Sequence, residues 1–250
     1  MTSLSTVATR NVARPTFGDR RPALYAKLPQ APRNTSPVPH LTSLYHNADP
    51  GPYGSRRYPG NGGGMLLRDL LRYFRPQSVL DPLTGSGTCR DVCRELGIRC
   101  WSSDLHQNFD ACDATRFPNE RFAFAWIHPP YWRQKLYCND PRDLSRAPTL
   151  AAFLQRYRLL IENCAGALVP GGRLAILMGD YHDRELGFVP LTYHTNALAF
   201  GLALRQCCPD IIRFGHGASS GKKTYRSSFI PNLNDVCMVF ETSRSRGVKR

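Results

Sequence analysis

A short apolar run that ends in an acid and breaks into a glycine-rich turn sets the tightest limit on this chain. Ser78-Val79-Leu80-Asp81 has the length and composition of a buried strand, and Pro82-Leu83-Thr84-Gly85-Ser86-Gly87 cannot continue it. Helical spacing follows over Thr88–Leu96. Strand, glycine turn and helix in that order open a β-α-β unit, and the rest of the chain keeps the alternation. Ile98–Ser103 and the strongly apolar Phe122–Ile127 read as strands. Leu150–Leu168 reads as a helix stopped by Pro170-Gly171-Gly172, with Arg173–Met178 as the next strand. Pro190–Leu204 is helical, and Ile211–Phe214 and Asp235–Glu241 can close the sheet. Upstream, a Gly- and Pro-rich loop over 46–64 leads into Met65-Leu66-Leu67, Leu70, Leu71 and Phe74, an amphipathic helix. The pattern predicts an α/β domain with a mostly parallel sheet covered by helices on both faces.

Three regions differ in composition. Residues 1–45 carry scattered prolines and arginines without a sustained apolar period and predict a basic, loosely ordered arm; 46–243 form the folded domain; 244–250 make a basic tail. Hydrophobic residues are 42% of the 250, enough for a sizeable core. The longest apolar runs are too short for a bilayer and no signal-length stretch opens the chain, so a soluble, cytoplasmic protein without a membrane partner is expected. Lys and Arg total 33 against 19 acids, a formal charge of +14 that favours a polyanionic partner. Nine cysteines are an odd number and none forms a Cys-x-x-Cys pair. Cys89 and Cys93 stand four apart without partners at zinc-site spacing, so reduced, mostly buried thiols and no metal are expected.

Two motifs carry chemistry. The first is Asp81-Pro82-Leu83-Thr84-Gly85-Ser86-Gly87-Thr88, at a strand end where parallel sheets bind ligands. Asp104 ends the next strand 23 residues later, where an acid can accept hydrogen bonds from both ribose hydroxyls. Gly85-x-Gly87 alone fits a plain tight turn equally well. A triphosphate cradle does not fit, because Thr88 is followed by Cys89 and Arg90 rather than preceded by a lysine. The second motif is Ile127-His128-Pro129-Pro130-Tyr131-Trp132 after the apolar strand. Two prolines fix the backbone and remove two N–H donors, leaving carbonyl acceptors, while Tyr131 and Trp132 offer flat faces that can stack on a base. A Pro-Pro turn with core aromatics is the plainer alternative.

Together these motifs resemble the amino-group DNA methyltransferases, whose signatures are Asp-Pro-x-x-Gly-Ser-Gly-Thr and (Asp/Asn/Ser)-Pro-Pro-Tyr. The likeness covers roughly 58–241, and the chain departs from it at the head of the second signature, where His128 stands. The resemblance implies a Rossmann-like fold with a mostly parallel seven-stranded sheet, and S-adenosyl-L-methionine as cofactor. It implies that Tyr58 and Asn61 contact the methionine end, that Asp81, Pro82, Gly85, Ser86, Gly87 and Thr88 line the pocket, and that Asp104 and Leu105 hold the ribose side. Asp113 resembles the group near the adenine ring, with Asp110 competing for the role. His128, Pro129, Pro130 and Tyr131 would hold a base flipped out of double-stranded DNA, adenine N6 being favoured over cytosine N4. The His128 side chain and the Pro129 carbonyl would accept its two N–H hydrogens. Trp132, then Arg133 and Lys135 within a basic stretch over 133–148 that also holds Arg142 and Arg146, and Lys222, Lys223 and Arg226, in a Gly- and Ser-rich segment over 213–230, are the expected DNA contacts. No large recognition domain is left over, so recognition is short or shared with a second subunit, as in a homodimer. An RNA or protein-amide N-methyltransferase, or a catalytically silent DNA-binding relative, are the rival readings.

Overall fold

The computed structural model describes residues 32–46, 49–214, 230 and 232–243. Ten strands and four α-helices alternate among them: β1 Leu44–Tyr45, α1 Met65–Phe74, β2 Ser78–Asp81, α2 Thr88–Glu95, β3 Arg99–Ser102, β4 Phe122–Ile127, α3 Leu150–Gly166, β5 Leu168–Met178, β6 Tyr181–Asp183, β7 Gly187–Val189, α4 Leu191–Gly201, β8 Arg205–Gln206, β9 Ile211–Phe214 and β10 Asn234–Glu241. The main sheet runs β1-β9-β10-β5-β4-β2-β3, with β8 alongside β10. It has eight strands rather than seven: six longer ones and the two-residue β1 and β8. Strands β3, β2, β4 and β5 are parallel, and β10 enters antiparallel beside β5. This is a mixed α/β, Rossmann-like sheet.

Period-two patterning sends alternate side chains to opposite faces. Phe122, Ala125 and Ile127 of β4, Leu174, Ile176 and Met178 of β5, and Met238 and Phe240 of β10 join one core, with Phe153, Tyr157, Leu160 and Ile161 of α3 and Leu191 and Ala199 of α4. Phe124 and Trp126, Ala175 and Leu177, and Cys237 and Val239 point the other way, onto Leu66, Leu67, Leu70 and Leu71 of α1 and Cys89, Val92 and Cys93 of α2. The strands read as apolar runs because both faces are covered.

The helix ends follow local chemistry. Thr149 caps α3 by accepting from Ala152 N at 3.1 Å. Gly87 caps α2 at φ +83°, a left-handed conformation that glycine adopts without steric cost. The Pro170-Gly171-Gly172 stretch, expected only to stop α3, is absorbed into β5.

Part of the basic arm departs from expectation. Residues 1–31 lie outside the described residues, but 37–45 pack against the domain. Val38 and Tyr45 are buried, and β1 pairs in parallel with β9. The cause is Asp69 of α1, fully buried, which accepts from Tyr45 Oη at 2.8 Å and lies 2.7 Å from His40 Nε2. A buried carboxylate requires such partners, and a segment far upstream supplies them. No described helix is long and apolar enough to cross a membrane.

Candidate active site

The chain passes from β2 through α2 to β3 on one side, then returns to β4 on the other side of β2. That reversal is a topological switch point, where open parallel sheets leave a crevice beyond their carboxyl ends. A cleft of about 990 Å³, open to solvent, lies there. Its wall includes Asp81, Leu83, Thr84, Gly85, Ser86 and Thr88 from the first motif, Asp104 and Leu105 from the next strand end, and His128 and Pro130 from the second motif. The glycine- and proline-rich segment contributes Tyr58 and Asn61. Pro82 and Gly87 shape the turn without lining the cleft.

Each wall has a local cause. Gly85 sits at φ +49° beneath Tyr58, and a Cβ there would stand 2.9 Å from the tyrosine ring. Its N–H donates to Asp104 Oδ2 at 3.0 Å, and Asp104 Oδ1 accepts from His106 N at 2.9 Å. Asp104 is 8% exposed, and each carboxylate oxygen retains a second lone pair for a ligand. Asn61 clamps the neighbouring loop: its Oδ1 accepts from Thr88 Oγ1 at 3.0 Å and from Gly63 N at 2.8 Å, and its Nδ2 donates to Tyr53 O at 3.1 Å.

Asp81 is buried, and its Oδ2 accepts from Ser102 Oγ at 3.0 Å, tying the ends of β2 and β3. Burial pushes its pKa up to about 7, with the nearby Cys100 adding to the rise and the Ser102 bond opposing it. A folded-state pKa above the unfolded value contributes stability at low pH that is lost as pH rises through the folded value. Relative to Asp81→Asn, wild-type stability should therefore decline between about pH 4 and pH 7, by a few kcal/mol at most. Urea unfolding of both proteins across that range checks this, and parallel profiles would refute it.

His128 follows β4 and is partly buried, with Nε2 3.1 Å from Tyr131 Oη. Burial, reinforced by the Arg213 guanidinium, lowers its pKa to about 4. The imidazole is therefore neutral at physiological pH. With Nε2 engaged by Tyr131, Nδ1 is the atom left for a ligand, and it accepts when the proton sits on Nε2.

The structure places several of the sequence-predicted site residues away from the cleft wall. Tyr131 does not line the cleft. Its ring packs over Gly179, where a Cβ would come 2.7 Å from it, and its hydroxyl bonds His128. Pro129 is buried and is not among the residues that line the cleft. Trp132 is a core residue, 1% exposed, whose indole N–H donates to Ala147 O at 2.8 Å. Arg133 is committed to Asp183 at 2.7 Å and Glu185 at 2.6 Å, across the loop joining β6 to β7. Asp113 lies outside the cleft, capping a 3-10 turn by accepting from Thr115 N at 3.0 Å. Its rival Asp110 pairs with Arg156 at 3.4 Å, also outside. Lys135 is exposed, whereas Lys222, Lys223 and Arg226 lie outside the described residues.

The basic stretch after Trp132 folds onto its own acceptors, with Arg142 on Asp140 and Arg146 on Cys138 O, and walls the cleft instead. Tyr137 and the buried Asp143 line it from there. So does Arg213 of β9, which donates to Asp235 Oδ1 at 2.7 Å and to Gly62 O at 2.8 Å. Sequence reading missed all three. Asp143 had a local signal, an Asp two residues before the N–H of Ser145 that it caps at 2.9 Å. Arg213 had none, because its partners come from β10 and from a loop 151 residues away.

No family model and no curated protein matches the chain. Among solved structures, it is similar to a Thermus thermophilus protein provisionally named a DNA modification methylase and solved with S-adenosyl-L-methionine. The identity is 20% over 70% of this chain and 57% of that one, with a TM-score of 0.41. It is also similar to an S-adenosylmethionine-dependent methyltransferase from Archaeoglobus fulgidus, at 14% identity over 71% and 93% of the two chains and a TM-score of 0.44. A third is the N-methyltransferase NodS of Bradyrhizobium japonicum, at 17% identity over 72% and 81%, with a TM-score of 0.39. The chain spans little more than half the length of the Thermus protein. At this degree of likeness none of them bears on what the chain binds or does.

Proposed function

We propose that the protein is an S-adenosyl-L-methionine-dependent methyltransferase acting on an exocyclic amino group of a DNA base, adenine N6 before cytosine N4. What carries the reading is the meeting, in one cleft at the switch point, of the Gly85 turn, the Asp104 carboxylate, and His128 and Pro130 of the second motif. The residues fit the cofactor. Gly85 has no side chain where Tyr58 closes over it, and Asp104 keeps two lone pairs for vicinal hydroxyls. When bound, the cofactor supplies an electrophilic methyl group.

The rest falls to the chain. Neutral His128 Nδ1 accepts one N–H of the target amine, which keeps the nitrogen lone pair from delocalising into the ring. An acceptor already in position also meets the positive charge that develops on nitrogen without reorganising. Tyr131 is a positioning residue that holds the imidazole rather than a stacking platform, and Tyr58 and Tyr137, with Trp126, are aromatic groups on the cleft wall. A net charge of +14 suits a polyanionic substrate.

Transfer of labelled methyl to duplex DNA, RNA and protein tests the substrate class, and label appearing only in RNA or protein would overturn it. Asp104→Ala tests the cofactor site on its own. A hydrogen bond to a charged group contributes about 1.5–3 kcal/mol, so cofactor affinity should drop roughly tenfold or more. Unchanged affinity by calorimetry would remove Asp104 from the site.

A further inference from the structure

Cys89 and Cys93 lie one turn apart on the inner face of α2, and Cys100 lies on β3, opposite Val79 of β2. Their three sulfur atoms all stand within 4.8 Å of one another. None is in a disulfide; Cys89 and Cys93 are buried and Cys100 is partly so. The i, i+4 spacing brings two sulfurs to one helix face, and the contact between α2 and β3 adds the third. The zinc-site rules applied to the sequence could not see this, because the third ligand is local in space only.

We propose that Cys89, Cys93 and Cys100 form a site for one soft, thiophilic metal ion, bound as a tris-thiolate. Soft thiolate ligands select soft ions. With metal–sulfur bonds of about 2.3 Å, three sulfurs around one ion stand about 4 Å apart, so the cluster needs little movement to close. Binding breaks each remaining S–H bond, forms three metal–sulfur bonds and releases the protons to solvent, with no electrons transferred. A divalent ion leaves one net negative charge in the cluster. The Arg90 guanidinium acting on Cys100 offsets it.

Position gives the site a consequence. α2 begins at the glycine turn, β3 leads into Asp104, and Cys89 itself lines the cleft. An ion here staples together the two elements that carry the cofactor-side wall. Its role is therefore to stabilise the folded state, by mass action on a site the unfolded chain does not have.

The probe is Cd(II), added to the full, reduced, metal-free chain. The expected result is a thiolate-to-metal charge-transfer band saturating at one equivalent per chain, release of protons, and a higher Tm. Cys100→Ser should weaken binding at least tenfold and abolish the Tm shift. Cys207→Ser/Cys208→Ser, away from the cluster, should keep both. Circular dichroism shows whether Cys100→Ser folds; if it does not, Cys93→Ala takes its place, and the wild-type stoichiometry and proton release still decide. A wild-type chain that gives no band, or a band lost in the Cys207/Cys208 variant and kept in the Cys100 one, would overturn the site. Zn(II) competing for the bound Cd(II) distinguishes which soft ion the cluster prefers.

Discussion

His128→Ala should slow single-turnover methyl transfer by about 10²–10³ while leaving cofactor affinity nearly unchanged, the mark of an interaction made only in the transition state. The side chain is held by Tyr131 at 3.1 Å, and it lines the cleft where the two motifs meet. Its protonation state makes the role testable by pH. An ordinary histidine would lose its acceptor lone pair as pH falls through about 6.5. Here burial and Arg213 keep the imidazole neutral down to about pH 4, so the rate should hold through pH 6 and fall only toward that value. The same depression makes the protein less stable as pH drops from about 6.5 toward 4, because the unfolded chain takes up a proton that the folded one resists. Tyr131→Phe should lower kcat with little change in KM, by freeing the ring to take unproductive tautomers. A His128→Ala enzyme with wild-type single-turnover rates would refute the acceptor role and move it to a main-chain carbonyl.

Trp132→Ala should destabilise the fold by about 3–5 kcal/mol, a large share of a typical domain's total stability. The indole is 1% exposed, packs in the core beside α3, and donates to Ala147 O at 2.8 Å. Trp132→Phe separates the two contributions. It keeps most of the apolar burial and leaves the Ala147 carbonyl unpaired, a loss of about 1–3 kcal/mol. Urea unfolding of the three proteins measures both steps. If Trp132 stacked on a flipped base instead, both variants would unfold with the wild type and lose only DNA affinity.

The alternation of strands and helices was legible because the periods that encode it are local. Alternate apolar residues in 124–127 divide between two cores, and Val92 and Cys93 recur at helical spacing after Cys89. The first motif was legible for a similar reason. A left-handed turn at Gly85 and Gly87 demands glycine, and a strand that ends in Asp81 puts that turn at the sheet's carboxyl edge.

The second motif shows the limit. His128-Pro129-Pro130-Tyr131-Trp132 stated which chemistry was present but not which way each ring faced. Tyr131 turned onto Gly179 and Trp132 into the core, because a backbone 48 residues on made room for the first and a carbonyl 15 residues on took the indole proton of the second. Arg133 read as a free cation only while Asp183, 50 residues away, was out of sight. Cys100 joined Cys89 and Cys93 by the packing of α2 on β3. Sequence by itself determined the elements and the residues at their ends, since these depend on neighbours within a few positions. Tertiary structure alone decided which aromatic, charged and sulfur groups face the cleft and which are consumed by one another, because burial and pairing depend on partners that only folding brings near.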